Sequence, residues 1–251
     1  MKPINQEFQL HYLTQQLGNY THYTQKEIME QDKTLWMSLN QGARILDGQI
    51  CLGGLYDLKK NIPKIQNIIF MGCGSSYYAG CIGYHYIKSI PSLNSLNVFC
   101  FDGGDFENRD IPHGNCLFIF ISQSGETMDL MKHMKHIQTN HDTMGIVNVI
   151  DSSISKEVNC GIYMNVGKEV AVASTKSFNS SVLLLKLFSL WLYLDSLNFY
   201  NKSLTSLLVH SFSHDQTFYL HPLNPHGTWV ISCLLYTSDA ADERSSVDLG
   251  G

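Results

Sequence analysis

Two short stretches carry most of the residues able to do chemistry. The first is Cys73, Gly74, Ser75 and Ser76 in "FMGCGSSYYAG"; the second runs from Ser122 through Gln123, Ser124, Gly125 and Glu126 to Thr127 in "FIFISQSGETMDL". Each follows an apolar run and precedes a helix-length segment. Hydroxyls and glycines at the start of a helix make an anion site. The first backbone N–H groups have no intrahelical partner, the positive end of the helix dipole faces the ligand, and serine or threonine adds donors without adding charge. Such an arrangement holds a phosphate. Ser and Thr at helix starts also act as plain N-caps, worth about 1 kcal/mol to the helix. Two hydroxyl-rich junctions after neighbouring strands favour the anion reading. Lys176, in "ASTKSF", stands in a third hydroxyl-rich loop and offers either a counter-charge to a phosphate or a solvated cation.

Other chemistries find less. "GCGSSYYAG" lacks the third glycine of a dinucleotide fingerprint, Asp102 is a poor match for the ribose-binding acid, and there is no G-K-[ST] of a nucleotide P-loop. His133, His136 and His141 share one segment, but no Cys or carboxylate cluster completes a metal site, so they read as an exposed polar helix face. No metal and no cofactor is expected.

The elements that must position these loops are visible as a change of period. Asn67–Gly72, Leu96–Phe101, Asn115–Ile121, Thr143–Val149 and Cys160–Met164 are nearly continuous apolar runs, as strands covered on both faces are. Helices are predicted between and after them at Tyr77–Ser89, Glu126–Thr139 and Ser174–Leu194, and ahead of them at Tyr23–Leu39 and Leu55–Asn61. The alternation predicts an α/β fold, a three-layer α/β/α sandwich on a five-stranded parallel sheet with right-handed crossovers. Ligands of such sheets sit beyond the carboxyl ends of the strands, where both stretches fall. Val182–Leu194, which contains Lys186 and Ser189, falls short of the ~20 residues of a membrane span and reads as a buried helix. Its Phe188, Trp191 and Tyr193 are core or subunit contact.

A chain of 251 residues, 44% hydrophobic, can bury one α/β core or one domain and part of another. The net charge of -5 offers no basic surface for nucleic acid. Seven cysteines without a C-x-x-C pair, and an N-terminal segment without an apolar signal, suit a reducing cytosol. A cytoplasmic protein with neither nucleic acid nor membrane as partner is expected.

"HYTQKEIMEQ" (22–31), "CGSSYYAG" (73–80), "ISQSGETMD" (121–129) and "DSSISKEVNCGIYMNVGKEVAVASTKSF" (151–178) occur in order. Together they resemble the isomerase part of the glutamine:fructose-6-phosphate aminotransferases, specifically the first of two sugar-isomerase (SIS) subdomains, a flavodoxin-like sandwich. In that family the matching loops hold the phosphate of fructose 6-phosphate. Carried over, the resemblance implies substrate binding by Ser75, Ser76, Ser122, Gln123, Ser124 and Thr127, with Val172 and Ser174 lining the sugar pocket. Ser75 stands where the family usually has threonine, and Glu126 matches a family position whose role stays open. The ligand implied is fructose 6-phosphate or glucosamine 6-phosphate.

The family's glutaminase domain, its second SIS subdomain and its C-terminal tail find no match here. No catalytic residue is therefore expected in this chain, which reads as a fragment inactive by itself. The expected division is a leader over 1–19, the SIS domain over 20–200, and a connector over 201–232 in which "GTWVIS" would open a second SIS subdomain. Residues 233–251 resemble translated sequencing-adapter read-through and are set aside as non-native. Packing of SIS units, together with the apolar helix Ser181–Leu194, implies a homo-oligomer. The alternatives are an SIS-type sugar-phosphate deglycase or isomerase, and a non-catalytic sugar-phosphate sensor.

Overall fold

The computed structural model describes residues 17–196 and, as backbone, residues 219–222 and 229–232. Five parallel strands form its centre: β1 (Asn67–Gly72), β2 (Asn97–Asp102), β3 (Cys116–Ser122), β4 (Asp142–Val147) and β5 (Cys160–Tyr163). Their spatial order is β2-β1-β3-β4-β5. Every residue of β1 and β3 is buried, which is why both read as uninterrupted apolar runs. Successive side chains alternate between two cores. Ile68, Phe70, Leu117, Ile119 and Ile121 face one side of the sheet. Ile69, Met71, Phe118 and Phe120 face the other.

Helices α1 (Tyr23–Met29), α2 (Gln31–Ser38), α3 (Ser75–Lys88), α4 (Met128–Ile137), α5 (Ser153–Glu157) and α6 (Lys176–Ser196) complete the layers. Side chains of α2, α3 and α6 fill the first core, and those of α4 and α5 the second. The expected three-layer sandwich is the fold observed. Expected strand limits hold within two residues; β4 stops at Val147 because the chain turns there, reaching a positive φ of 62° at Asp151.

Several expectations are corrected. Tyr23–Leu39 is two helices that turn at Glu30 (φ −87°, ψ −4°). Leu55–Asn61 belongs to a series of 3₁₀ turns, Gly53–Leu55, Asp57–Lys60 and Ile62–Lys64; two glycines in front and Pro63 behind leave no run long enough for an α-helix. Helix α5 was not expected, since five residues carry no readable period. Helix α6 begins and ends two residues later than expected. At 21 residues it is long and apolar enough to cross a membrane by length and composition, yet 72% of its most apolar window is buried inside the fold. A helix apolar all round is a buried helix. Leu190 and Trp191 belong to the core, so the apolar face offered for self-association is occupied within the fold itself.

His133 and His141 are not part of an exposed face either. Their rings pack against Phe106 (5.1 Å, edge-on) and Phe118 (5.6 Å, tilted), while His136 is exposed. Trp229–Ser232 is a strand and pairs antiparallel with Tyr219–Pro222; the rest of the 201–232 connector lies outside the described residues. Most of the 1–19 leader, and the 233–251 segment, lie outside the described residues.

Candidate sugar-phosphate site

The order β2-β1-β3-β4-β5 places the topological switch point between β1 and β3. Crossovers leave these two strands in opposite directions, opening a crevice at their carboxyl ends. β1 is in register with β3 (Phe70 beside Ile119, Met71 beside Phe120), so the loops after Gly72 and after Ser122 emerge side by side. Those are the two hydroxyl-rich stretches.

The β1–α3 loop is shaped by glycine. A side chain on Gly72 would run into the backbone of Ser76 and Tyr77 at 2.6–2.8 Å, so only glycine lets the first turn of α3 fold back onto the strand end. Gly74 caps α3 with φ 58°, a conformation other residues rarely adopt. Ser75 and Ser76 open the helix, both half-buried, and among the described residues their hydroxyls make no hydrogen bond. Cys73 beside them is a neutral thiol, its pKa pushed up by burial first and by Asp102 next.

In the β3–α4 loop the hydroxyls divide the work. Buried Ser122 accepts the Gly125 N–H (3.0 Å) and shares a hydrogen bond with Thr127 Oγ1 (2.8 Å), closing the turn. Ser124 Oγ accepts the Glu126 N–H at 3.1 Å. Gln123 holds Asn148 through its carbonyl, which accepts the Asn148 N–H at 3.2 Å; its side chain is half-buried. Helix α4 starts at Met128 with Thr127 as N-cap, two residues later than expected, and Glu126 stays in the loop. Glu126 is exposed and accepts from Ser153 N–H (2.7 Å) and Ser153 Oγ (2.6 Å). Those bonds, the hydroxyl's first, hold its pKa below the ordinary 4.5. It stays ionised at neutral pH, the wrong direction for a proton-shuttling carboxyl.

The third loop differs. Val172 is fully exposed, and Ser174 Oγ is paired with Ser177 Oγ at 2.8 Å. The start of α6 is already capped by a carboxylate, which the sequence reading missed: Glu169 accepts from the Thr175 N–H (3.0 Å), the Ser177 N–H (3.2 Å) and the Ser177 hydroxyl. Buried Glu27 holds the same loop from its other side through the N–H groups of Val170 (2.6 Å) and Ala171 (3.2 Å). Lys176 neither faces a phosphate nor meets solvent; it is buried and paired with Glu30. Glu169 carries no local signal, since Val166 stands three residues before it; Glu27 follows Thr24 in a T-x-x-E pattern, but its carboxylate holds the Val170–Ala171 backbone and not its own helix start. The hydroxyls expected to bind an anion thus gather at two loops, with Val172 and Ser174 on a third that is braced by carboxylates.

Among the described residues, no group of three or more His, Cys, Asp or Glu could hold a metal ion. A cleft of about 400 Å³ lies elsewhere, lined by α1, α2 and the segment after β5, including Lys26, Glu27, Lys33 and Lys168. None of the switch-point residues lines it.

A family model described as SIS domain matches residues 62–190, which include both switch-point loops. The human glutamine–fructose-6-phosphate aminotransferase [isomerizing] 2 is 33% identical over 187 residues, 74% of this chain and 27% of that protein. The Encephalitozoon cuniculi enzyme of the same name is 36% identical over 179 residues, 70% of this chain and 25% of that protein. The chain thus spans about a quarter of the length of these relatives. Among solved structures, the C-terminal domain of glucosamine-fructose-6-phosphate aminotransferase from Francisella tularensis superposes with a TM-score of 0.66 at 28% identity, over 77% of this chain and 53% of that one. The chain belongs to the SIS domain family, and within it to the kind found in the isomerase domain of glutamine–fructose-6-phosphate aminotransferases.

Proposed function

We propose that this chain grips the phosphate of a hexose 6-phosphate, fructose 6-phosphate first, in the crevice between the β1–α3 and β3–α4 loops. The observation that carries the reading is the meeting of two hydroxyl-rich loops at the β1/β3 switch point, with the Ser75 and Ser76 hydroxyls uncommitted. The fructose 6-phosphate in the names of the relatives supports the choice of sugar. Gln123, Ser124 and Thr127 complete the grip, and Val172 and Ser174 border the sugar. The chain supplies binding and orientation, while ammonia release and ring isomerisation belong to other parts of a longer aminotransferase.

Calorimetric titration of the full chain with fructose 6-phosphate and with fructose tests this. A phosphate gripped by several charge-assisted hydrogen bonds should favour the ester by at least roughly tenfold, about 1.4 kcal/mol. Equal affinity for the two ligands would overturn the proposal.

A further inference from the structure

Glu126 is the charged residue of the 122–127 loop, and a carboxylate beside an anion site should oppose a phosphate. Its surroundings absorb that charge. Both carboxylate oxygens are engaged by Ser153, one by the backbone N–H and one by the hydroxyl, at the first turn of α5. The segment from the end of β4 to the start of α5 grips the loop at two further points. The Ile154 N–H donates to the Gly125 carbonyl (3.0 Å) and the Asn148 N–H to that of Gln123 (3.2 Å). Buried Ser152 presses against Gly125 so closely that any side chain there would overlap its Oγ. The β4–α5 turn therefore backs the loop from Gln123 to Glu126; among the described residues Glu126–Ser153 is the side-chain hydrogen bond between them, with the Lys156 charge also acting on Glu126.

We propose that Glu126 is a positioning residue of the sugar-phosphate site, whose carboxylate clasps Ser153 and so holds the Ser122–Thr127 loop in its anion-binding shape. This rests on the hexose-phosphate reading above. It makes a prediction opposite in sign to simple electrostatics: deleting a negative charge beside the anion weakens binding.

The test is calorimetric titration of the full chain with fructose 6-phosphate, comparing the unaltered protein with E126A, E126Q, S153A and the double variant E126A/S153A. Loss of a charge-assisted clasp should weaken binding about tenfold in E126A and about threefold in S153A. The double variant should bind no more weakly than E126A, because the two residues act through one contact. E126Q should fall between E126A and the unaltered chain, since its carbonyl oxygen still accepts from Ser153. Thermal unfolding midpoints within a few degrees of the unaltered chain would show that the variants remain folded. E126A binding as tightly as the unaltered chain, or more tightly, would overturn the clasp, and so would losses that add in the double variant. Failure of the unaltered chain to bind at all would overturn the binding function itself, a result distinct from either.

Discussion

Lys176 Nζ lies 3.1 Å from Glu30 Oε2, and the lysine is only 4% exposed. This pair joins the start of α6 to the turn between α1 and α2, and it engages the lysine that the sequence offered as a counter-charge to a phosphate. Glu30 is also 3.7 Å from Lys26, so its charge has a second partner.

The pair should therefore respond asymmetrically to mutation. E30A strands a buried ammonium and should lower stability by about 2 kcal/mol, below the full 3–5 for an entirely buried pair because Glu30 is partly exposed. K176M leaves a carboxylate that still has Lys26 and water, and should cost less. Urea unfolding measures both. Fructose 6-phosphate affinity should be unchanged in K176M; a marked loss would return the lysine to the phosphate.

The serines should separate into two classes. S75A and S76A remove hydroxyls with no internal bond, so each should weaken fructose 6-phosphate binding by about 0.5–1.5 kcal/mol without moving the unfolding midpoint. S122A also strips the acceptor from the Gly125 N–H, so it should lower the midpoint as well. Titration combined with thermal unfolding distinguishes the classes. The reverse pattern would make Ser75 and Ser76 structural caps.

Gly125 should tolerate no side chain. Its φ of 67° strains any L-residue, and a methyl group would overlap Ser152 Oγ. G125A should cost about 1–3 kcal/mol and weaken phosphate binding through the distorted loop. Adding S152G should recover the steric part and leave the backbone part, which denaturant titration of the two variants would reveal.

Acid should destabilise the fold through two histidines. Burial is the first cause that lowers the pKa of both from 6.5; Lys132 adds to it at His133, and His136 at His141. The unfolded chain therefore binds more protons than the folded one as pH falls through 6.5. Their contribution is full above that value and is lost on descending toward the lower folded pKa values. Glu126 acts in a different window, since its contribution holds above 4.5 and fades only below it. Between pH 7.5 and 5.5 stability should fall, and the double variant H133L/H141L should flatten the slope. An unchanged slope in that variant would place the titration elsewhere.

The layers and the two hydroxyl-rich loops at the switch point were legible in the sequence because each rests on local information. β1 and β3 are buried on both faces, so they appear as unbroken apolar runs, and the hydroxyls follow each run directly. Limits were less legible where tertiary contacts set them, as with the turn at Glu30 or the five residues of α5. Strand order was settled only in three dimensions. That β1 lies between β2 and β3, making the gap between β1 and β3 the switch point, follows from hydrogen bonds and crossover packing between distant segments. The sequence likewise identifies hydroxyls and carboxylates but not their partners. Ser122 is spent inside its turn while Ser75 is not, Glu27 caps a backbone 143 residues away, and Glu126 reaches Ser153 across 27. A polar side chain takes whichever donor or acceptor the folded backbone brings within about 3 Å, and that choice leaves no trace in local spacing.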